Sequence, residues 1–143
     1  MDAELDAIRS VTSKVPLDWV QLHGDEPPAV CAALATDHKI IKAFGVTDAA
    51  TFEDLAAYVP HVQAFLLDAP RPGSGQTFDW DLIARCPRDR PVFVAGGLNP
   101  DNLAEAVRLS GAEVVDVSSG VESAPGRKDP RLIEAFLARA EDA

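Results

Sequence analysis

From Trp19 to the end of the chain, short apolar runs alternate with longer stretches of helical period. That alternation restricts the chain to folds built from strand-then-helix units. The runs are Trp19-Val-Gln-Leu-His23, Lys39-Ile-Ile-Lys-Ala-Phe44, Gln63-Ala-Phe-Leu-Leu-Asp68, Pro91-Val-Phe-Val-Ala95 and Glu113-Val-Val-Asp-Val117. They recur every roughly 21 to 27 residues, which suits one βα unit each. Residues 28–36, 49–58, 79–85 and 101–109 between them read as helices, with Asp48 and Asn99 as N-caps and Pro100 at a first helical position. Residues 130–140 form a last helix with Leu132, Ile133, Phe136 and Leu137 on one face.

Strands this continuously apolar, separated by helices, imply a parallel sheet buried on both faces, and so the α/β class in one domain spanning residues 1–143. Two architectures satisfy the pattern: an open doubly wound sheet, or part of a (β/α)8 barrel. The leading segment carries Leu5, Ile8 and Val11 at helical spacing with no strand ahead of it, so the chain is expected to start inside a βα unit.

Composition narrows the partners. At 143 residues with 47% apolar and 25% charged content, the chain can bury a core. A formal net charge of −10 opposes encounter with nucleic acid or an anionic membrane, yet leaves room for a small anion held by local donors. Cys31 and Cys86 have neither metal-ligand spacing nor the density of a disulfide scaffold, which fits a reducing compartment. No apolar run approaches the roughly 18 residues that span a bilayer, and the acidic start Met-Asp-Ala-Glu is unlike a signal peptide, so a cytoplasmic location is expected.

In parallel α/β folds the reactive groups gather where strands end and the following loops begin. The first strand ends in Gln21-Leu-His-Gly24, an imidazole before a permissive turn, which by itself fits a structural donor as well as a ligand contact. The third ends in Asp68 beside Ala64-Phe-Leu-Leu67; desolvation there would raise the carboxyl pKa and suit it to donate a proton near neutral pH. A Pro- and Gly-rich loop, residues 69–77, follows and lies where barrel enzymes carry binding segments. The fourth and fifth ends, Ala95-Gly-Gly-Leu-Asn-Pro100 and Asp116-Val-Ser-Ser-Gly120, place small residues on consecutive strands. A phosphate held by backbone N–H groups requires such close approach of the main chain, although paired tight turns would look the same.

Together these segments resemble the phosphoribosylanthranilate isomerases, the (β/α)8 enzymes of tryptophan biosynthesis. The resemblance runs in order through Val20-Gln-Leu-His-Gly-Asp-Glu26, Ile41-Lys-Ala-Phe-Gly-Val46, Leu67-Asp68, Gly73-Ser-Gly-Gln-Thr-Phe-Asp-Trp80, Ala95-Gly-Gly-Leu-Asn-Pro100, Val115-Asp-Val-Ser-Ser-Gly-Val-Glu122 and Pro125-Gly-Arg-Lys-Asp129. It implies a cofactor-free Amadori rearrangement of a phosphorylated small molecule, N-(5-phosphoribosyl)anthranilate. Asp68 would be the acid; Gln21, His23 and Asp116 would contact the reacting end; Gly96, Gly97, Ser119 and Gly120 would hold the phosphate.

The resemblance also exposes a gap. The family's base is a cysteine in a Cys-Gly-Ile/Leu motif closing its first strand, and no such motif occurs here; Cys31 and Cys86 both fall away from strand ends. The family's basic residue after its second strand has no counterpart either. The expectation is a partial barrel matching strands four to eight and lacking one to three, with Met1 an internal methionine of a longer product. Such a chain would be inactive alone and prone to self-association through its exposed sheet edges. Two alternatives are a half-barrel that binds phosphorylated ligands or works with a partner chain, and another phosphate-binding barrel such as a ribulose-phosphate epimerase or thiamine-phosphate synthase. The pairing of Gln-Leu-His-Gly with Asp-Val-Ser-Ser-Gly-Val-Glu speaks against the second of these.

Overall fold

Five parallel strands in the order β1-β2-β3-β4-β5 form one sheet in the computed structural model, which describes residues 3–71 and 75–143. They are β1 (Trp19–Leu22), β2 (Lys39–Gly45), β3 (Ala64–Asp68), β4 (Val92–Val94) and β5 (Val114–Val115). Each overlaps an expected run, and sequential order across the sheet follows from right-handed βα crossovers. The register sets Gln21 beside Ile41, Gly45 beside Asp68, Leu67 beside Val94 and Phe93 beside Val114. Of the residues singled out above, Met1 and the Pro72, Gly73 and Ser74 part of the mouth loop lie outside the described residues.

The two faces of the sheet are unequal, which corrects the expectation of a sheet buried on both faces. Leu22, Ile40, Phe65, Leu67, Val92 and Val94 point into the main core, where Cys31 and Leu34 of α2 (Pro28–Leu34), Leu103 and Ala106 of α3 (Leu103–Ser110) and Phe136 of α4 (Pro130–Glu141) meet them. The opposite face carries a cluster of Ala43, Leu66 and Ala95 flanked by half-buried Ile41 and Phe93, and no helix contributes to it. Helices on one side only are the barrel arrangement and exclude a doubly wound sheet among the described residues.

Several expected helices take another form. Residues 49–58 are not one α-helix but successive 3₁₀ turns at Ala49–Phe52, Leu55–Ala57 and Val59–His61, and Trp80–Arg85 is likewise 3₁₀. Both segments are short connections whose paired apolar anchors, Phe52 and Leu55 in one, Trp80 and Ile83 in the other, reach the core without a full amphipathic stripe. Asp48 does cap its turn, accepting from Ala50 N–H at 2.8 Å. Asn99 Oδ1 accepts from the N–H groups of Asp101 and Asn102, while Asn102 Oδ1 accepts from Asn99 N–H, so α3 is preceded by a reciprocally capped turn.

α1 (Leu5–Thr12) rests Leu5 and Ile8 on the core but leaves Val11 exposed. α4 buries only Phe136 of its expected apolar face, with Leu137 58% exposed. An antiparallel hairpin, β6 (Glu122–Ala124) with β7 (Arg127–Lys128), has no counterpart among the expected elements; the Pro125-Gly126 turn that closes it was its only local signal. No helix among the described residues is long and apolar enough to cross a membrane.

Phe65 is fully buried at the centre of the sheet and in contact with Phe44. Phe65→Ala should lower unfolding stability by roughly 4 kcal/mol, measured as a shift of the urea midpoint.

Candidate functional site

Asp68 closes a strand whose five residues are all buried. Its side chain is 11% exposed; Oδ1 accepts the Ala69 N–H at 2.7 Å, and Oδ2 stands 3.6 Å from His23 Nε2. Burial pushes the carboxyl above its ordinary range, and Asp116 across the site adds to the effect; the Ala69 N–H and His23 oppose it without cancelling it. A proton is thus held more firmly on Asp68 than on a surface carboxyl, beside a group able to stabilise the anion left after donation.

A cavity of about 380 Å³ brings Asp68, Gly96, Gly97, Asp116, Ser119 and Gly120 together, along with Leu98 and Ser118. Two glycines make that assembly possible. Gly96 has φ +81, and a Cβ there would strike Ala69 N and sit 2.7 Å from Asp68 Oδ1. A Cβ on Gly120 would collide with the Leu98 carbonyl oxygen, so the turns after β4 and β5 touch only because that position is bare. Asn102 Nδ2 donates to the Gly97 carbonyl at 2.9 Å, tying the first turn to the base of α3.

The second turn is held from outside. Lys128 Nζ donates to Ser118 O (2.8 Å) and Ser118 Oγ (3.2 Å) and pairs with Glu122 Oε1 at 2.9 Å, while Glu122 Oε2 accepts the Gly126 N–H. Hydrogen bonding to Lys128 lowers the Glu122 pKa. The β6–β7 hairpin therefore holds this turn at Ser118.

His23 lines the neighbouring cavity of about 440 Å³ with Gly24, Asp25, Lys42, Phe44, Gly45 and Tyr58, and its contact with Asp68 joins the two cavities. Gln21 lines neither. It lies lower on β1, exposed on the inner face in register with Ile41. Lys42 and Glu26, both buried at the rim, were missed; the signal was a lysine inside an apolar strand.

Both cysteines are buried, Cys31 on α2 and Cys86 after the Trp80–Arg85 turn. Burial raises each thiol from 9.0 to about 11, so neither is a thiolate near neutral pH and neither reaches the cavity. The folded state holds these protons more tightly than the unfolded chain. Their stabilising contribution is complete below 9.0 and is lost as pH rises through about 11. A thiol reagent at pH 8 should therefore label neither cysteine until urea unfolds the chain, and the urea midpoint should fall between pH 9 and pH 11. In the same chain Gly120→Ala should cost about 2 kcal/mol on denaturation, because the Leu98 carbonyl must move.

Against known proteins, residues 1–139 match the family model described as N-(5'phosphoribosyl)anthranilate (PRA) isomerase. An N-(5'-phosphoribosyl)anthranilate isomerase of Geobacter metallireducens is 46% identical over 138 residues, covering 94% of this chain and 66% of that protein. One of Rhodospirillum centenum is 45% identical, covering 98% and 70%. Among solved structures, phosphoribosyl anthranilate isomerase from Thermotoga maritima superimposes with a TM-score of 0.85 at 39% identity, over 100% of this chain and 71% of that one. Another, in complex with reduced 1-(o-carboxyphenylamino)-1-deoxyribulose 5-phosphate, gives 0.81 at 36% identity, over 99% and 69%. The chain spans about two thirds of the length of these relatives, and none of the matches bears out the expectation that it is inactive alone. On the family model and these identities, the chain belongs to the N-(5'-phosphoribosyl)anthranilate isomerase family.

Proposed function

We propose that the chain carries the acid and the phosphate grip of a phosphoribosylanthranilate isomerase acting in tryptophan biosynthesis, with its five strands corresponding to strands four to eight of the barrel. The observation that carries this reading is that Asp68, with its raised pKa, lines one cavity together with Gly96, Gly97, Ser119 and Gly120. An acid and an anion-sized cradle at one strand edge suit a substrate with a phosphate at one end of a ribose and the reacting carbon at the other.

In this reading the turns Gly96-Gly97 and Ser119-Gly120 take the phosphate on backbone N–H groups. Asp68 donates its proton to the furanose ring oxygen. The C1′–O bond then breaks with its electrons going to that oxygen, while the nitrogen lone pair forms the C=N bond of the Schiff base. The Asp68 carboxylate so produced is stabilised by the Ala69 N–H and by His23, whose Nε2 stands 3.6 Å from Oδ2. Removal of the C2′ proton gives the enolamine that becomes the aminoketose, completing an aldose-to-ketose isomerisation without a cofactor. Cys31 and Cys86 are excluded from that step by their burial, so the base is assigned to neither.

Asp68→Asn should lower turnover, followed through the fluorescence of the anthranilate substrate, by about 10²- to 10⁴-fold. The same change should stabilise the fold. Since the folded pKa of Asp68 lies above its ordinary 3.8, the stability contributed by its proton is complete below 3.8 and lost as pH rises through the folded value. Asparagine never ionises, so Asp68→Asn should raise Tm at pH 7 by about 2 °C and leave it unchanged near pH 3. Equal loss of activity and stability would point instead to a structural carboxylate.

β1 and β5 are the outer strands of the sheet, and Trp19 and Val114 on them are 44% and 41% exposed. Edges of this kind pair with other chains. Size-exclusion chromatography should show concentration-dependent self-association, reduced by Trp19→Lys.

A further inference from the structure

Lys42 is the one charged residue of the described strands that faces the main core. It sits in the middle of β2 between Ile40 and Phe44, and only 1% of its surface is exposed. Its ammonium donates to the carbonyls of Gly24 (2.6 Å), Ala43 (2.9 Å) and Leu22 (3.4 Å) and stands 3.2 Å from Glu26 Oε2. The same Glu26 oxygen accepts the Gly24 N–H at 3.0 Å, and Tyr58 Oη donates to the Glu26 carbonyl. The two residues flanking His23 in the chain are thus both tied to one buried ion pair on the helix side of the sheet, while the His23 imidazole reaches across the other side to Asp68.

Stability alone does not explain the pair. Desolvating an ammonium and a carboxylate costs several kcal/mol per ion, and apolar replacements of matching volume are often neutral or stabilising. What the pair supplies is direction. β1 has a ladder partner on one side only, β2, and that ladder stops at Leu22. Beyond it nothing in the sheet fixes the turn carrying His23, and the fan of carbonyls around Lys42 takes that part. We infer that Lys42 and Glu26 form a positioning latch that sets His23 against Asp68, and so act on the reaction through the acid rather than by touching substrate. The catalytic half of this inference rests on the function proposed above.

The double variant Lys42→Met/Glu26→Leu removes the latch while filling its space. Two readouts in the full chain test it: the carboxyl-carbon NMR titration of Asp68, and kcat separately from KM. The influences on Asp68 are burial, the Ala69 N–H, His23 at the end of β1 and Asp116 at the end of β5; neither Lys42 nor Glu26 acts on it directly. A folded double variant is expected to titrate Asp68 at a higher pH than the parent chain, since the lowering effect of His23 is lost, and kcat is expected to fall about tenfold or more with KM little changed. A folded variant with an unmoved Asp68 titration overturns the latch. Should the double variant not fold, Glu26→Gln carries the test, because it keeps an oxygen for the Gly24 N–H but discharges the pair: an upward move of the Asp68 titration supports the latch and none overturns it. A parent chain without isomerase activity would count against the proposed function, yet the Asp68 titration would still decide the latch.

Discussion

The site depends on the burial of one strand. Ala64 to Leu67 are covered on both faces of β3 at the middle of the sheet, and this fixes where Asp68 emerges. β2 and β4 clamp it on either side through a parallel register that brings Gly45 level with Asp68. Because the strands all run the same way, their ends fall together, and His23, Asp68, Gly96 and Asp116 come to one rim without any long-range loop having to carry them there. A carboxyl anchored by four buried residues has little freedom to swing toward water, and its raised pKa is the electrostatic expression of that restraint.

Against a net charge of −10, a site for an anion cannot rely on the global field. In the proposed function the donors have to be local and preoriented, and the backbone at Gly96 and Gly120 is drawn closely together. The nearby cation, Lys128, is engaged with Ser118 and Glu122 and serves to hold the turn. Neutral backbone dipoles in fixed positions lose less to reorganisation than a flexible charged side chain would, which favours this solution in an otherwise acidic protein.

Much of this was legible in the chain itself because it depends on period and punctuation. Five apolar runs at βα spacing foretold the strands, and the Gly-Gly and Ser-Ser-Gly ends foretold which loops would meet. The reading failed where packing overrides local pattern. Residues 49–58 have helical composition, but the short span between β2 and β3 is filled by 3₁₀ turns that bury Phe52 and Leu55 in the core. Gln21 shares the inner face of β1 with His23 but sits lower on the strand and lines neither cavity. The unequal faces of the sheet were hidden for a related reason: Ile41, Leu66 and Phe93 are as apolar as Ile40, Phe65 and Val94, and composition cannot say which set the helices cover.

Two charged residues inside apolar strands illustrate what resolves such ambiguity. Asp68 and Lys42 look alike in sequence, each a lone charge beside a run of aliphatic side chains. Register separates them. Lys42 lies level with Phe65, whose side chain is in the helix-covered core, so its charge is sealed among carbonyls and Glu26. Asp68 lies level with Gly45, on the face shared by Leu66 and Ala95, where the sheet opens into the cavity. One residue of parity therefore decides whether a buried charge faces the helix-covered core or the cavity. Both are desolvated, but Lys42 has its acceptors built in, whereas Asp68 keeps an oxygen turned toward His23 and the cavity. That incomplete satisfaction is what the proposed acid role of Asp68 requires.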